Sequence, residues 1–278
     1  MQNSPKNFFP FYLRLKIYDI MKIQLSIVLI SMSVSLFAQQ TFIAHRGASY
    51  LAPENTVASA NLAWELGADA VEIDVYLTKD NRVMALHDKD TKRTTGGKKT
   101  FAIKDTPSLV LRDLEVGGWK NEKYKGEKIP FISEIIETVP EGKNLVVEIK
   151  AGSEIIPHLK REIEKSGKLD QMIFIAFGWE TILDTKKEFP DNACYWLSSL
   201  KQGLKKRMEE AAAAGLEGVN LSYKIIDEEV MQLARELNLE VLTWTVNDPV
   251  IAKKMTDLGV KAITTDRPKW LKEEMTKL

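Results

Sequence analysis

Apolar runs of strand length alternate with amphipathic helical stretches from Thr41 to the end of the chain, and this alternation restricts the fold more than any other feature. Nine runs are predicted to be strands, at residues 41–45, 69–75, 82–87, 143–149, 171–176, 192–197, 217–221, 240–246 and 260–264. Strands that alternate with helices favour parallel βα units over a sandwich. A closed (β/α)8 barrel takes only eight strands, so one of these runs must lie outside it.

The connection lengths identify the extra strand. Parallel neighbours need a crossover of about a dozen residues, whereas only residues 76–81 separate the second and third runs. We therefore predict that strand 82–87 returns antiparallel to strand 69–75. Residues 76–131 then form an insertion that contains several glycines and no long helix. The predicted fold is α/β, an eight-stranded TIM barrel with a small cap over its mouth.

The composition is that of a globular protein without net charge. The chain has 278 residues, 44% of them hydrophobic, which suits a large single domain. Its 39 acidic and 39 basic residues cancel, so no overall field attracts nucleic acid or an anionic membrane, and nucleic acid is not expected as a partner. The single cysteine, Cys194, lies in an apolar run and is predicted to be buried rather than nucleophilic.

Residues 1–38 are predicted to be an N-terminal extension with a signal peptide, ahead of a barrel domain at residues 39–278. Met21 and Lys22 begin a short positive region, and the next 15 residues are uncharged. This stretch is shorter than the ~20 residues of a membrane span. Translation from Met21 and cleavage after Ala38 would give a periplasmic or secreted protein with no stable membrane anchor. An uncleaved signal anchor is the alternative.

Charged residues occur where the predicted barrel strands end, which is where TIM barrels carry their active sites. His45 ends the first strand, and Glu72 and Asp74 lie two residues apart on the second, so their side chains share one face. Glu148 and Lys150 are spaced in the same way at the next barrel strand. Three converging carboxylates favour an oxygen-ligated ion such as Ca²⁺ or Mg²⁺ over neutralisation by arginine or lysine alone.

Several separated motifs identify a family. They are HRG at 45–47, PENT at 53–56, EIDV at 72–75, LHD at 86–88, KRTTGG at 92–97, GGW at 117–119, YKGEKIPFISEII at 124–136, VVEIK at 146–150, LTWTVND at 242–248 and ITTDRP at 263–268. In this order, over residues 41–270, they resemble the glycerophosphodiester phosphodiesterases of the bacterial, secreted type. The resemblance implies a barrel with an insertion and Glu72, Asp74 and Glu148 as metal ligands. It also implies hydrolysis of deacylated phospholipids to sn-glycerol 3-phosphate and an alcohol.

Two of the three histidines are candidates for acid–base catalysis. Cleavage of a phosphodiester requires a deprotonated nucleophile and a protonated leaving group, and His45 and His87 would supply both functions near neutral pH. The sequence leaves open which is the acid, and whether water attacks directly or a glycerol hydroxyl first forms a cyclic phosphate. His158, in the helical stretch 157–165, is interpreted as structural.

Other residues are predicted to bind substrate or to support the site. Arg46 and Lys150 would hold phosphate oxygens, with a structural ion pair as the alternative. Glu54 and Asn55 would orient His45 or support the metal ligands, or else cap the helix that begins near Thr56.

Aromatic residues are expected to form an apolar wall against the glycerol carbons, with a core role as the alternative. They are Trp119, Phe177, Tyr223 and Trp244. The segment AFGW at 176–179 departs from the family, which often has a serine and a more polar residue there. Contacts from this strand to a head group are therefore not predicted.

Two alternative functions remain. A lysophospholipase-D-like phosphodiesterase would need a longer apolar groove at the barrel mouth and a means of meeting a membrane. A non-catalytic barrel that binds phosphodiesters would not need both histidines, all three carboxylates and Lys150 together, so their presence favours an enzyme.

Overall fold

Eight parallel strands close into a barrel in the computed structural model, which describes residues 40–278. The predicted signal peptide lies outside the described residues. Around the barrel the strands follow the order β1, β2, β4, β5, β6, β7, β8 and β9, and β9 pairs with β1. The strands are β1 Thr41–Ala44, β2 Ala70–Leu77, β3 Val83–Ala85, β4 Asn144–Ile149, β5 Met172–Ala176, β6 Cys194–Ser198, β7 Gly218–Ser222, β8 Glu240–Trp244 and β9 Ala262–Thr265. The predicted TIM barrel is confirmed.

Strand β3 is the one outside the barrel. It pairs antiparallel with the end of β2, Val75 opposite Ala85 and Leu77 opposite Val83. Asn81, in the connecting turn, has a positive φ of 60°, a conformation that asparagine tolerates better than most residues. The antiparallel hairpin inferred from the connection length is therefore confirmed, and it carries His87 back toward the barrel mouth.

Helices surround the barrel and cover its strands. They are α1 Val57–Glu65, α2 Ser108–Arg112, α3 Ile132–Thr138, α4 Ile156–Ser166, α5 Trp179–Glu188, α6 Leu204–Ala213, α7 Glu228–Glu236, α8 Pro249–Asp257 and α9 Pro268–Met275. Aspartate side chains cap the N-termini of two of these helices. Asp227 accepts from the backbone N–H of Val230 at the start of α7, and Asp248 accepts from that of Ile251 at the start of α8. Among residues 40–278, none of the helices is both long and apolar enough to cross a membrane.

Apolar side chains form three clusters among the described residues. The largest lies between the helices and the outer face of the barrel. A second fills the barrel interior beneath the mouth, where Ile43, Val146, Tyr195 and Leu242 are members, so the barrel is packed rather than hollow. A third cluster, including Met84, belongs to the insertion. The insertion thus has a small core of its own, although its only α-helix, α2, has five residues.

The loop after β1 turns sharply and packs tightly against α1. Arg46 and Gly47 have positive φ angles of 55° and 78°. A Cβ atom on Gly47 would lie 2.5 Å from Ser59 Oγ and 2.6 Å from the Ser59 carbonyl carbon. Ser59 Oγ also donates to the Arg46 carbonyl at 3.0 Å. Only glycine fits this position, and the close contact fixes the loop that follows His45.

We expect Gly47→Ala to destabilise the protein strongly. The left-handed conformation costs about 1–2 kcal/mol for alanine, and displacing the Ser59 backbone adds about 1–3 kcal/mol. Gly67→Ala is the matched control, because Gly67 also has φ 78° but nothing within 4 Å of an added Cβ. Urea unfolding should show the larger loss for Gly47→Ala, and equal losses would mean that the contact with Ser59 is unimportant.

Candidate active site

Three acidic side chains converge at one side of the barrel mouth. Glu72 and Asp74 project inward from β2, and Asp74 lies opposite Glu148 of β4 in the parallel register. The three residues offer ligand oxygens that all lie within 4.8 Å of one another. Glu72 and Asp74 are only 2% and 1% exposed. The structure brings the three predicted ligands together, while their role as ligands stays a prediction.

Two fixed cations lie beside these carboxylates. Lys150 Nζ is 2.8 Å from Glu148 Oε1 and 3.6 Å from Asp74 Oδ1, and Arg46 Nε is 3.4 Å from Asp74 Oδ2. The Arg46 backbone N–H also donates to Glu72 Oε2 at 2.9 Å. The sequence left neutralisation by arginine or lysine as the alternative to a metal ion, and both kinds of side chain are present beside the carboxylates. Three carboxylates beside two cations still leave one negative charge in excess.

The electrostatics of this acidic cluster fit a divalent cation. Glu72 Oε1 and Asp74 Oδ1 are buried and have no hydrogen-bond partner within the part of the chain that the structure describes. Burial, together with the charges of Asp74 and Glu148, raises the pKa of Glu72 well above its usual value. Burial and the charge of Asp74 likewise raise the pKa of Glu148. A hard cation would satisfy the unpartnered oxygens and remove the repulsion, so these residues suit Ca²⁺ or Mg²⁺.

Asn55 and Glu54 support the cluster rather than His45. Asn55 Nδ2 donates to Asp74 Oδ2 at 2.8 Å, and the Asp74 backbone N–H donates to Asn55 Oδ1 at 3.0 Å. Glu54 accepts from Arg46 at 2.9 Å and from Arg93 at 2.6 Å. The capping alternative for these two residues is not observed, because Thr56 itself caps α1 by accepting from the Ser59 N–H. Asn55 therefore fixes the orientation of one predicted metal ligand.

Each candidate catalytic histidine has one ring nitrogen on a carboxylate. His45 Nδ1 lies 2.7 Å from Asp266 Oδ1, and His87 Nδ1 lies 2.8 Å from Asp88 Oδ1. This pairing leaves Nε2 of each ring available to the cavity that both histidines line. Burial lowers the pKa of His87, although Asp74 and Asp88 act against the shift. Both rings are therefore held in a fixed orientation beside the cavity.

The partners of these histidines were not identified from the sequence. Asp266 follows β9, and its carboxylate also accepts from Asn247 Nδ2 at 2.5 Å and from Ser49 Oγ at 3.2 Å. Burial opposes ionisation, but hydrogen bonds from His45, Asn247 and Ser49 lower the pKa of Asp266 to about 2. Its place at the C-terminal end of a barrel strand was the available signal.

Asp88 has a comparable environment on the insertion side. Arg93 Nε donates to Asp88 Oδ2 at 2.8 Å. Burial again opposes the shift, but the hydrogen bonds from Arg93 and His87 lower the pKa of Asp88 to about 2. Arg93 also contacts Glu54, so it connects the insertion to the loop after β1.

Both histidines, Glu72 and Glu148 line a cavity of about 160 Å³ together with the two cations beside them. The rest of its wall consists of four apolar side chains, two threonines and one asparagine. Phe177 and Trp244 lie in this wall and pack edge to face, with ring centroids 5.5 Å apart. Trp119 is 40% exposed and does not line the cavity, and Tyr223 packs against the core around the barrel. Two of the four predicted aromatic residues thus reach the site.

A second, more open cavity of about 700 Å³ adjoins the first between the barrel and the insertion. His87 and Lys150 line both cavities. Lys89 and Lys92 lie on the insertion side of the larger cavity.

The single cysteine lies outside both cavities. Cys194 is buried, and burial raises the pKa of its thiol to about 12, which agrees with the predicted structural role.

Comparison with known proteins decides the family. The model of the glycerophosphoryl diester phosphodiesterase family matches residues 45–270, a range that contains every candidate site residue. The chain belongs to this family. The resemblance drawn from the motifs is thus confirmed, and with it the enzyme class.

Relatives match over nearly their whole length. A glycerophosphodiester phosphodiesterase of Caldanaerobacter subterraneus is 32% identical over 234 residues, which cover 82% of this chain and 95% of that protein. One from Bacillus subtilis is 28% identical over 247 residues, covering 81% and 83%. A solved phosphodiesterase of Oleispira antarctica, in complex with its product sn-glycerol-3-phosphate, superposes with a TM-score of 0.78 at 29% identity. It covers 85% of this chain and 96% of its own.

We expect Glu72→Gln to stabilise the metal-free protein. A raised carboxyl pKa means that the folded state binds the proton more tightly than the unfolded state. The free energy of unfolding must therefore fall as pH rises above the usual value of 4.5. Glutamine removes the charge, so unfolding in EDTA near neutral pH should require about 1–3 kcal/mol more than in the wild type.

The exposed Glu65 provides the control for this measurement, because Glu65→Gln removes a carboxylate of the same size from the surface of α1. That variant should follow the wild-type dependence of unfolding free energy on pH. If Glu72→Gln follows it as well, burial and the neighbouring carboxylates do not raise the pKa of Glu72 as inferred.

Proposed function

We propose that this protein is a metal-dependent phosphodiesterase that hydrolyses glycerophosphodiesters, the deacylated phospholipids, to sn-glycerol 3-phosphate and an alcohol. One observation carries the proposal: His45 and His87 face the same cavity as an acidic cluster with unpartnered oxygens. Membership of the family supports the substrate class, and a structural relative holds sn-glycerol-3-phosphate as its product. The proposed location, periplasmic or secreted, depends on the sequence alone.

The charges of the cluster suit a phosphodiester once a metal is present. Glu72, Asp74 and Glu148 would hold Ca²⁺ or Mg²⁺, which when bound supplies Lewis-acid stabilisation of charge on the phosphoryl oxygens. A divalent ion changes the excess of one negative charge into an excess of one positive charge. That excess matches the single negative charge of the substrate. Arg46 and Lys150 would then donate to the non-bridging oxygens.

The histidines would carry out the proton transfers. A carboxylate on Nδ1 fixes the ring orientation and keeps a proton on Nδ1, so that Nε2 is the atom that exchanges a proton with the substrate. The histidine that acts as the base starts with a bare Nε2, and the one that acts as the acid starts as the doubly protonated imidazolium. One Nε2 accepts the proton of the attacking hydroxyl, and the other donates a proton to the leaving oxygen. Attack by water and attack by a glycerol hydroxyl through a cyclic phosphate both use this arrangement.

The shape of the cavity favours a deacylated substrate over a lysophospholipid. Its enclosed part, about 160 Å³, is smaller than the ~300 Å³ at the lower end of drug-sized pockets. It suits a three-carbon glycerol unit against Phe177 and Trp244, and an acyl chain would have to lie outside it.

We expect chelation to abolish the activity reversibly. The phosphate-ester products from a panel of glycerophosphodiesters and lysolipids would be identified with and without EDTA. Glycerophosphodiesters should yield sn-glycerol 3-phosphate, EDTA should lower the rate at least ~10²-fold, and Ca²⁺ or Mg²⁺ should restore it. Glu72→Gln should weaken both metal affinity and rate. Full activity in EDTA would exclude the metal assignment.

Replacement of either candidate histidine should lower turnover without preventing binding. His45→Ala and His87→Ala are each expected to reduce kcat by ~10²–10⁴, and His158→Ala, on the outer helix α4, is the control that should behave as wild type. A p-nitrophenyl ester, whose leaving group needs no proton, should rescue the general-acid variant alone. Wild-type rates from both variants would remove these histidines from the mechanism.

A further inference from the structure

Asn220 of β7 has an unpartnered side-chain amide in the active-site cavity. The residue is 1% exposed and lines the cavity with the histidines and carboxylates. Its Oδ1 atom is buried and finds no hydrogen-bond partner in the described range, residues 40–278. Its backbone carbonyl, by contrast, accepts from Trp244 Nε1 at 3.1 Å. Buried polar groups of proteins nearly always have a partner, so the missing partner of Oδ1 requires an explanation.

The position of Asn220 separates it from the acidic cluster. Around the barrel, β7 is four strands from β2 in either direction, so it lies opposite the strand that carries Glu72 and Asp74. Leu197 of β6 lies beside Asn220 in register and lines the same cavity. The amide therefore belongs to the largely apolar wall of the cavity, away from the predicted metal ligands.

A structural role does not explain this asparagine. Asn192, also buried, donates from Nδ2 to the carbonyls of Leu169 and Met172, at 2.7 and 2.9 Å, and so connects segments of the fold. Asn220 makes no such side-chain bond among residues 40–278. Its neighbours in register are Leu197 and Leu242, so a leucine would suit the position. An amide that lowers stability in this way is the kind of residue retained for binding.

We propose that Asn220 accepts a hydrogen bond from the terminal hydroxyl of the substrate's glycerol unit, the hydroxyl farther from phosphorus. The inference rests on the proposed function, which puts the phosphate beside Arg46 and Lys150 and the glycerol carbons against Phe177 and Trp244. The glycerol unit then extends from the charged side of the cavity toward β7. A hydroxyl donates the hydrogen bond that Oδ1 lacks, and it also accepts, so either orientation of the amide would be satisfied.

Recognition of this kind has a measurable signature. A site built to hydrogen-bond a hydroxyl rejects an analogue that lacks it, because the buried group is then left without a partner. Asn220 would thus distinguish glycerol from propane-1,2-diol, which keeps the hydroxyl next to the esterified carbon and lacks only the terminal one.

The test compares p-nitrophenyl phosphodiesters of glycerol and of propane-1,2-diol in the wild type and in Asn220→Leu. The wild type should prefer the glycerol ester by at least ~10²-fold in kcat/KM, and Asn220→Leu should reduce this preference to below roughly tenfold. Asn192→Leu is the control and should keep the wild-type preference while lowering the melting temperature. Asn220→Leu should keep or raise the melting temperature, because it removes an unpartnered buried group.

A binding measurement separates this inference from the proposed function. Calorimetry with sn-glycerol 3-phosphate and with propane-1,2-diol 1-phosphate, in the presence of Mg²⁺, needs no turnover. If the wild type hydrolyses neither ester but binds the glycerol compound more tightly, and Asn220→Leu loses that difference, the proposed function fails and the role of Asn220 stands. Asn220→Ala provides the same readout if the leucine variant does not fold. A wild-type preference retained by both variants would overturn the role of Asn220.

Discussion

Repulsion among three buried carboxylates is the constraint on which the site depends. Glu72, Asp74 and Glu148 lie together with fewer fixed cations than carboxylates, and burial together with this repulsion raises the pKa of both glutamates. The loop after β1 is shaped to reduce that cost. Arg46 adopts a left-handed conformation, which directs its backbone N–H to Glu72 while its guanidinium lies near Asp74. The tight packing of Gly47 on Ser59 keeps this loop in place.

The two histidines depend on different parts of the fold. His45 directly follows β1 and pairs with Asp266 just after β9, so its orientation requires that the barrel be closed between its first and last strands. His87 instead follows β3, outside the barrel, and its partner Asp88 is held by Arg93 of the insertion. The β2–β3 hairpin therefore brings the second candidate catalytic histidine to the cavity.

The sequence predicted those features that depend on local spacing. Strand periodicity and connection length were sufficient for the barrel and the antiparallel hairpin. The two-residue spacing of Glu72 and Asp74 predicted a shared face. Partners that meet only on closure could not be found in this way, since 221 residues separate His45 from Asp266. Trp119 lies in an insertion with little regular structure, so no strand or helix period indicated where its side chain would lie.

Asn220 was missed for a related reason. Its surroundings, GVNLS, form an ordinary buried strand, and a single polar residue in such a run has no motif to mark it. Its significance appears only in the closed barrel, where β7 lies across from β2 and Oδ1 of the amide has no partner among the described residues. The cavity then has a charged side, on β1, β2 and β4, and a largely apolar side with an amide within it. A glycerophosphodiester has the same division, an anionic phosphate joined to a short carbon chain that ends in a hydroxyl. Under the proposed function, the barrel interior would bind both ends of the glycerol phosphate unit, and the open cavity beside the insertion would receive the leaving alcohol.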